Sequence, residues 1–163
     1  MKNYLLIVFF LFATNSAAGQ ALINAKAPDF SLSDQNGLQY SLAAFAGHPV
    51  VLLASDKKGE DQNHQWGELV GKKYGDRVKI VGVADVRTVP FFLKGKIKND
   101  FKKDNNTILL DWDGVVFASY GFAQKVSNIA LIDKNGIVRY LHSGGAERGA
   151  VEGLFRELDR LLK

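Results

Sequence analysis

Apolar residues that recur with a strand or a helix period divide the chain into segments of predicted secondary structure. The run from Pro49 to Ala54 is continuous and rich in β-branched residues, which predicts a buried strand. From Gln62 to Tyr74 the apolar positions recur at helical spacing, and a second continuous apolar run covers residues 78–84. Strand, helix and strand in this order predict a βαβ unit with a parallel strand pair and a right-handed crossover.

Two pairs of short apolar segments are each joined by a turn signal. One pair flanks Asp34–Gly37, and the other flanks Asp133–Gly136, which contains an Asn-Gly step. Both predict β-hairpins, over residues 26–42 and 129–141. The remaining predicted elements are a short strand at 108–110, a helical turn at 115–120 and an amphipathic helix at 151–162.

Residues 89–104 predict a helix with two parallel stripes. The apolar residues Leu93, Ile97 and Phe101 recur every four positions, and lysines follow each of them one residue later, at Lys94, Lys98 and Lys102. On a helix this spacing gives an apolar stripe beside a basic one. The basic stripe is a candidate surface for an acidic protein or for anionic lipid head groups. A solvated helix face is the simpler explanation of the same pattern.

The first nineteen residues differ from the rest of the chain. Lys2 precedes an apolar run of roughly ten residues, which is followed by small residues up to Gly19, so we expect a secretory signal peptide over residues 1–19. The run is too short to span a bilayer, which makes a retained anchor the weaker alternative. Residues 20–163 are then one domain of a periplasmic or secreted protein, without a further transmembrane segment.

Composition removes several functional classes. The chain has no cysteine, so neither a disulfide nor thiol chemistry is possible. The net charge of +4 is too modest to indicate nucleic-acid binding. No pattern indicates a cofactor or a zinc site, and we expect a monomer.

The order of the elements, a parallel half followed by an antiparallel half, together with six short motifs, resembles the redoxin branch of the thioredoxin-like superfamily. This branch contains exported thiol-disulfide reductases and peroxiredoxins. The motifs are APDFSL, FAGHPVVL, KYGDRV, LDWDG, YG and LIDKNG, and they occur in the family's order between residues 26 and 136. The resemblance implies an α/β fold in which helices flank a central mixed β-sheet, with an added N-terminal β-hairpin.

The residues that carry the family's chemistry are missing. The reductases have a Cys-x-x-Cys pair at the start of the helix after the first buried strand, and the aligned positions here are Gly59 and Gln62. The family's cis-proline position is occupied by Ser127, so we expect a trans peptide after Val126. The peroxidatic cysteine of peroxiredoxins is absent too. Because exchange requires a thiolate, the family's redox activity does not follow from the resemblance.

The polar loop after the first buried strand contains a second type of candidate site. Glu60, Asp61 and His64 combine two carboxylates with an imidazole at a helix N-terminus, which could hold a cation or perform acid-base chemistry. Helix capping explains the same residues, with Asp61 as the N-cap.

Other polar residues near the predicted strand ends have simpler explanations. His48 is expected in a loop, and Asp111 and Asp113 in a turn where they bond backbone amides. Gly144 and Gly145 after His142 could present amides to an anion, although a loop between a strand and a helix requires glycines anyway.

Two functional hypotheses follow from the sequence. The first is a redox-inactive module that binds an unidentified envelope protein or an anionic surface, either through the groove or through the lysine stripe. The second is a cysteine-independent enzyme or metal-binding protein that uses Glu60, Asp61 and His64.

Overall fold

The protein's computed structural model describes residues 21–103 and 106–163. The predicted signal peptide, residues 1–19, therefore lies outside the described residues. Within the described residues one mixed sheet of seven strands runs in the order β2-β1-β5-β4-β3-β6-β7. The strands are β1 (Ser31–Asp34), β2 (Gln39–Ser41), β3 (Val50–Ser55), β4 (Lys79–Asp85), β5 (Ile108–Asp111), β6 (Asn128–Ile132) and β7 (Val138–Ser143). The α-helices are α1 (Glu60–Tyr74), α2 (Lys94–Phe101), α3 (Val115–Tyr120) and α4 (Arg148–Leu161).

Strand β3 lies in the interior of the sheet, between β4 and β6, and all six of its residues are buried. It pairs in parallel with β4 and antiparallel with β6, and α1 connects β3 to β4. The βαβ unit predicted from the sequence is thus confirmed. A strand covered on both faces needs apolar residues at every position, which explains why this run does not alternate.

Successive side chains of β3 point to opposite faces and join two different cores. Val50, Leu52 and Ala54 belong to a core with Phe117 and Tyr120 of α3. On the other face, alternate β3 residues pack with residues from α1 and α4, namely Val51, Leu53, Trp66, Val70, Leu154 and Leu158. The sheet is therefore a middle layer between helices, as the predicted fold class requires.

Both predicted hairpins are present. Strands β6 and β7 are antiparallel, and Gly136 in their turn has φ 78°, a conformation that glycine adopts without strain. The Asp133 carboxylate accepts hydrogen bonds from the backbone amides of Asn135 and Ile137 and completes the turn. At the other end of the sheet, β1 pairs antiparallel with both β2 and β5, so the N-terminal hairpin extends the sheet beyond β5.

Two details of the sequence prediction are wrong. Strand β1 begins at Ser31 rather than near residue 26, and Lys26 forms only an isolated bridge with Ile137. The helix predicted over residues 89–104 is a 3-10 turn, Phe91–Leu93, followed by the shorter α2. None of the residues of α2 is buried, so the apolar stripe beside its lysines does not enter the core. In the described part of the chain, no helix is long and apolar enough to cross a membrane.

Candidate functional site

The parallel strands β3, β4 and β5 all end at the same edge of the sheet, and the antiparallel strand β6 starts there. This edge carries the loop 56–59 before α1, the loops that follow β4 and β5, and the loop 121–127 that enters β6. In open α/β sheets, ligands usually bind at the carboxyl ends of the strands. It is also where the resemblance locates the thiol pair.

Gly59, where the resemblance leads us to expect the first thiol position, is buried against the backbone of the loop before β6. A Cβ atom added to Gly59 would lie 2.8 Å from the amide nitrogen of Ser127, and closer still to the carbonyl carbon and oxygen of Val126. These atoms belong to the backbone and cannot rotate away as the end of a side chain could. The volume that any side chain at position 59 would need is therefore occupied by residues 126 and 127.

Hydrogen bonds join the start of α1 to this loop on both sides of Gly59. The backbone amide of Lys125 donates to Asp56 Oδ2 at 2.9 Å, and that of Ser127 donates to Gln62 Oε1 at 2.9 Å. The Ser127 hydroxyl also donates to Asn63 Oδ1. We call these five residues, Asp56, Gln62, Asn63, Lys125 and Ser127, the polar clasp. Gln62, at the second thiol position, thus holds the loop that covers the first.

Asn128 fixes the same loop from inside the sheet, and the sequence analysis missed it. Its side chain is buried, and its Nδ2 donates to the carbonyl oxygens of Ala54 at 3.2 Å, Ala123 at 2.9 Å and Val126 at 3.2 Å. Its Oδ1 accepts hydrogen bonds from the Ala123 amide and the Ser143 hydroxyl. An asparagine at the start of an otherwise apolar strand was the available signal, since a buried amide group requires partners.

The backbone of the loop supports this arrangement. Every described peptide bond is trans, including the one between Val126 and Ser127, as expected from the sequence. Lys125 has φ 67°, an uncommon conformation for a residue with a side chain. This conformation directs the Lys125 amide toward the Asp56 carboxylate. The same carboxylate also accepts hydrogen bonds from the amides of Lys58 and Gly59.

Glu60, Asp61 and His64 are all exposed on the first turns of α1. Glu60 forms an ion pair with Lys57. No group of three or more His, Cys, Asp or Glu residues that could hold a metal is found among residues 21–103 and 106–163. The expectation that Asp61 is the N-cap is wrong: α1 begins at Glu60, and its N-cap is Gly59, without a side-chain cap. Asp56 bonds the backbone amides just before the helix instead.

Of the three lysines of the predicted basic stripe, Lys94 lies at this sheet edge, at the start of α2, and Lys98 and Lys102 follow along the helix toward the start of β5. Lys94 and Lys98 are partly buried and Lys102 is exposed. The Lys94 ammonium group lies 4.6 Å from the centroid of the Trp112 ring, which fits a cation-π contact.

An ion pair at the end of β4 is linked by a hydrogen bond to the loop before β6. Arg87 donates to both carboxylate oxygens of Asp85, at 2.9 and 2.7 Å, and Gln124 donates to Oδ2 at 3.0 Å. Burial raises the pKa of Asp85, but the hydrogen bonds from Arg87 and Gln124 outweigh burial and hold that pKa below its usual value. These groups satisfy one another, so the cluster is structural.

The other polar residues that the sequence analysis considered also make contacts within the fold. Asp111 accepts hydrogen bonds from the first amides of α3, at 2.9 Å from Val115 and 3.0 Å from Val116, which confirms its turn role. The Gly144 amide donates to the Ser127 carbonyl at 2.8 Å and is not available to an anion. His142 lies against the Trp66 ring, with centroids 5.8 Å apart.

Comparisons with known proteins agree with this geometry. The model of the AhpC/TSA family matches residues 23–141. No curated protein sequence matched the chain. Three solved structures share the fold.

The first is a Chlorobium tepidum protein proposed to be the thiol:disulfide interchange protein DsbE, with 24% identity, a TM-score of 0.66, and 85% of this chain and 96% of that chain covered. The second is an exposed lipoprotein thioredoxin of Streptococcus pneumoniae, with 24% identity, a TM-score of 0.61 and coverage of 80% and 99%. The third is the thioredoxin domain of a Bacteroides vulgatus thiol-disulfide oxidoreductase, with 19% identity, a TM-score of 0.61 and coverage of 86% and 98%. At these identities the three structures define the fold alone.

Proposed function

The chain belongs to the AhpC/TSA family, and we propose that it acts in the cell envelope as a binding or accessory module without thiol redox activity. One observation carries the proposal: the family's thiol position is Gly59, and the backbone of Val126 and Ser127 occupies the volume that a side chain there would need. Because the chain has no cysteine, it supplies no thiolate for exchange or for peroxide reduction.

The polar clasp supports a role in binding rather than in catalysis. Its groups bond one another across the site, so they are already engaged and are not directed at a substrate. Function resides in a site rather than in a fold, and the oxidoreductase activity of the family has no site in this chain.

Export is supported by two observations. The first nineteen residues have the pattern of a secretory signal. One protein of the same fold is an exposed lipoprotein and another is named as a thiol:disulfide interchange protein. We propose a periplasmic or secreted location, a cleaved signal peptide and a monomer that binds its partner through this sheet edge.

The test is an in-cell crosslinking experiment in the native host, in which the parent chain is compared with two triple variants. In the first, Lys94, Lys98 and Lys102 are changed to Glu. In the control, the exposed Lys72, Lys79 and Lys134 are changed to Glu. The control lysines lie near the opposite edge of the sheet, at the end of α1, the start of β4 and the β6-β7 turn.

We expect the parent and the control to crosslink to the same specific envelope component. The variant with Lys94, Lys98 and Lys102 changed to Glu should lose this crosslink. Absence of any specific crosslink, to protein or to lipid, in all three chains would contradict the binding role.

A further inference from the structure

Two adjacent phenylalanines protrude from the sheet edge that carries the polar clasp. Phe91 is 85% exposed and Phe92 is 81% exposed, on the 3-10 turn that precedes α2. Leu93, 36% exposed, and the partly exposed Trp112 lie beside them in the fold. Single exposed apolar residues are ordinary, but a group of them at one tip marks a surface that another phase or molecule covers.

The helix after this tip is strongly cationic. The helix and the two residues after it contain Lys94, Lys96, Lys98, Lys102 and Lys103, and Asp100 is the only described acidic residue between positions 91 and 103. Lys103 forms an ion pair with Asp100 at 2.9 Å. The other four lysines form no ion pair with a described carboxylate. We call Phe91, Phe92 and these four lysines the basic aromatic tip.

The apolar and cationic parts of the tip are held together by one side chain. The Lys94 ammonium lies 5.8 Å from the Phe91 ring centroid and 4.6 Å from that of Trp112, so this cation sits between two aromatic rings. Helix α2 itself buries no residue, and the tip is therefore convex and lightly packed. Protruding aromatic rings beside a rim of lysines are the arrangement that binds a lipid interface, with rings at the head-group level and ammonium groups among the phosphates.

We propose that the basic aromatic tip docks the protein on an anionic lipid bilayer. The exposed rings favour a bilayer over an acidic protein. Lys94, Lys98 and Lys102 follow one face of the helix, whereas Lys96 lies on the other side. A fluid lipid surface neutralises the three lysines of one face without fixed partners and takes up the two protruding rings, whereas an acidic protein would need carboxylates and an apolar pocket placed together. This inference rests on the proposed binding role and names its partner.

The experiment is co-sedimentation of the chain from Gln20 onward with vesicles. That chain contains every described strand and helix of the fold without the apolar N-terminal run. Vesicles of phosphatidylglycerol and phosphatidylcholine in equal parts are compared with vesicles of phosphatidylcholine alone. We expect binding only to the anionic vesicles, with a loss of affinity as salt is raised.

Two variants and one control locate the surface. Changing Lys94, Lys98 and Lys102 to Gln should weaken binding about a hundredfold, since each lysine near an anionic surface contributes about fivefold. Changing Phe91 and Phe92 to Ser should weaken it about tenfold or more, through loss of the inserted rings. Changing Lys72, Lys79 and Lys134 to Gln removes the same charge from the opposite edge and should alter binding by about twofold at most, because salt screens distant charges.

Tryptophan fluorescence is a second measurement of vesicle binding by the tip. Trp66 is 0% exposed and cannot meet lipid, whereas Trp112 lies under Lys94 at the tip. Anionic vesicles should shift the emission of the parent to shorter wavelength and leave a Trp112→Phe variant unshifted.

Absence of vesicle binding, or equal binding by all variants, would overturn the inference. A crosslinked envelope protein that is lost from the variant with Lys94, Lys98 and Lys102 changed to Glu would show that the tip docks a protein. The membrane inference would then fall while the binding role remained. Failure of both vesicle binding and crosslinking would overturn both.

Discussion

Replacing Gly59 with alanine tests whether the loop before β6 fills the thiol position. The backbone of Gly59 has φ −91° and ψ −1°, a conformation open to any residue. Conventional reasoning therefore expects a gain of about 0.4 to 1 kcal/mol in the free energy of unfolding, because alanine restricts the unfolded chain. The structure predicts the opposite sign, since the new Cβ would lie 2.8 Å from the Ser127 amide nitrogen and closer to the Val126 carbonyl.

The expected loss in the free energy of unfolding depends on whether the new carbon is forced into the site or the loop before β6 moves away. Forcing an extra carbon into a packed site costs about 1 to 3 kcal/mol. If the loop retreats instead, it gives up the hydrogen bonds of the clasp from Lys125 and Ser127, each worth about 1 kcal/mol. After subtracting the entropic gain from either cost we expect Gly59→Ala to lower the free energy of unfolding by about 1 to 2.5 kcal/mol. For a domain of this size that lowers the melting temperature by roughly 3 to 8 °C.

Urea denaturation and thermal melting of the variant measure this effect, with Gly149→Ala as the matched control. Gly149 lies in α4, and a Cβ there meets nothing within 4 Å, so the control should be stabilised by about 0.4 to 1 kcal/mol. The two substitutions are chemically identical and should differ in sign. A Gly59→Ala variant that is as stable as the control would refute the reasoning, because the loop would then have room for a side chain.

Three further predictions concern the same edge of the sheet. A variant with Gly59 and Gln62 both changed to Cys should reduce insulin disulfides no faster than the parent chain, because the loop covers position 59; recovered activity would contradict this view. Arg87→Gln should lower the free energy of unfolding at pH 7 by about 1 to 3 kcal/mol by leaving buried Asp85 short of partners. The pKa of Asp85 is lower in the folded state than in the unfolded state, so the Asp85–Arg87 ion pair contributes to stability above about pH 4. This contribution is lost as the pH falls through the folded-state pKa. Urea denaturation at several pH values should therefore show the stabilities of parent and variant converging in acid. Arg148→Gln, which removes an exposed pair with Glu152, is the control and should change stability by less than about 0.5 kcal/mol. Finally, Zn²⁺ should leave the melting temperature unchanged, since Glu60, Asp61 and His64 are exposed and form no metal-holding group among the described residues. A saturable rise in the melting temperature that His64→Ala abolishes would instead support the metal-binding alternative.

The sequence predicted the parts of the fold that depend on local pattern. The continuous apolar run of β3 indicated a strand buried on both faces, and the Asn-Gly step located the turn that Gly136 closes. In both cases the physical cause acts within a few residues, either through burial at every position or through a positive φ. A single sequence contains that information directly.

The closure of the thiol position could not be predicted in the same way. Resemblance to the family, with the spacing counted from the strand motif, led to Gly59, Gln62 and Ser127, but the Gln62–Ser127 bond joins residues 65 positions apart. No local periodicity records which loop lies over which helix start. The prediction for residues 89–104 was inaccurate for the reverse reason. The apolar periodicity of this segment was real, but a segment so rich in lysine packs too lightly for its apolar stripe to reach the core.

The closed position at Gly59 and the exposed rings of Phe91 and Phe92 lie at one sheet edge, and that edge differs from the one that a thiol reductase needs. In a thiol reductase the edge must remain open so that a disulfide can reach the nucleophile. Without a cysteine, the start of α1 and the loop before β6 can approach until backbone meets backbone, and Asp56, Gln62 and Asn63 bond the amides and hydroxyl that this brings within reach. The edge then has no cleft at position 59, and its protruding apolar surface is at Phe91 and Phe92. The binding role that we propose for this edge therefore uses the protruding rings and the lysines rather than a cleft, which suits a partner that is flat, extended and anionic.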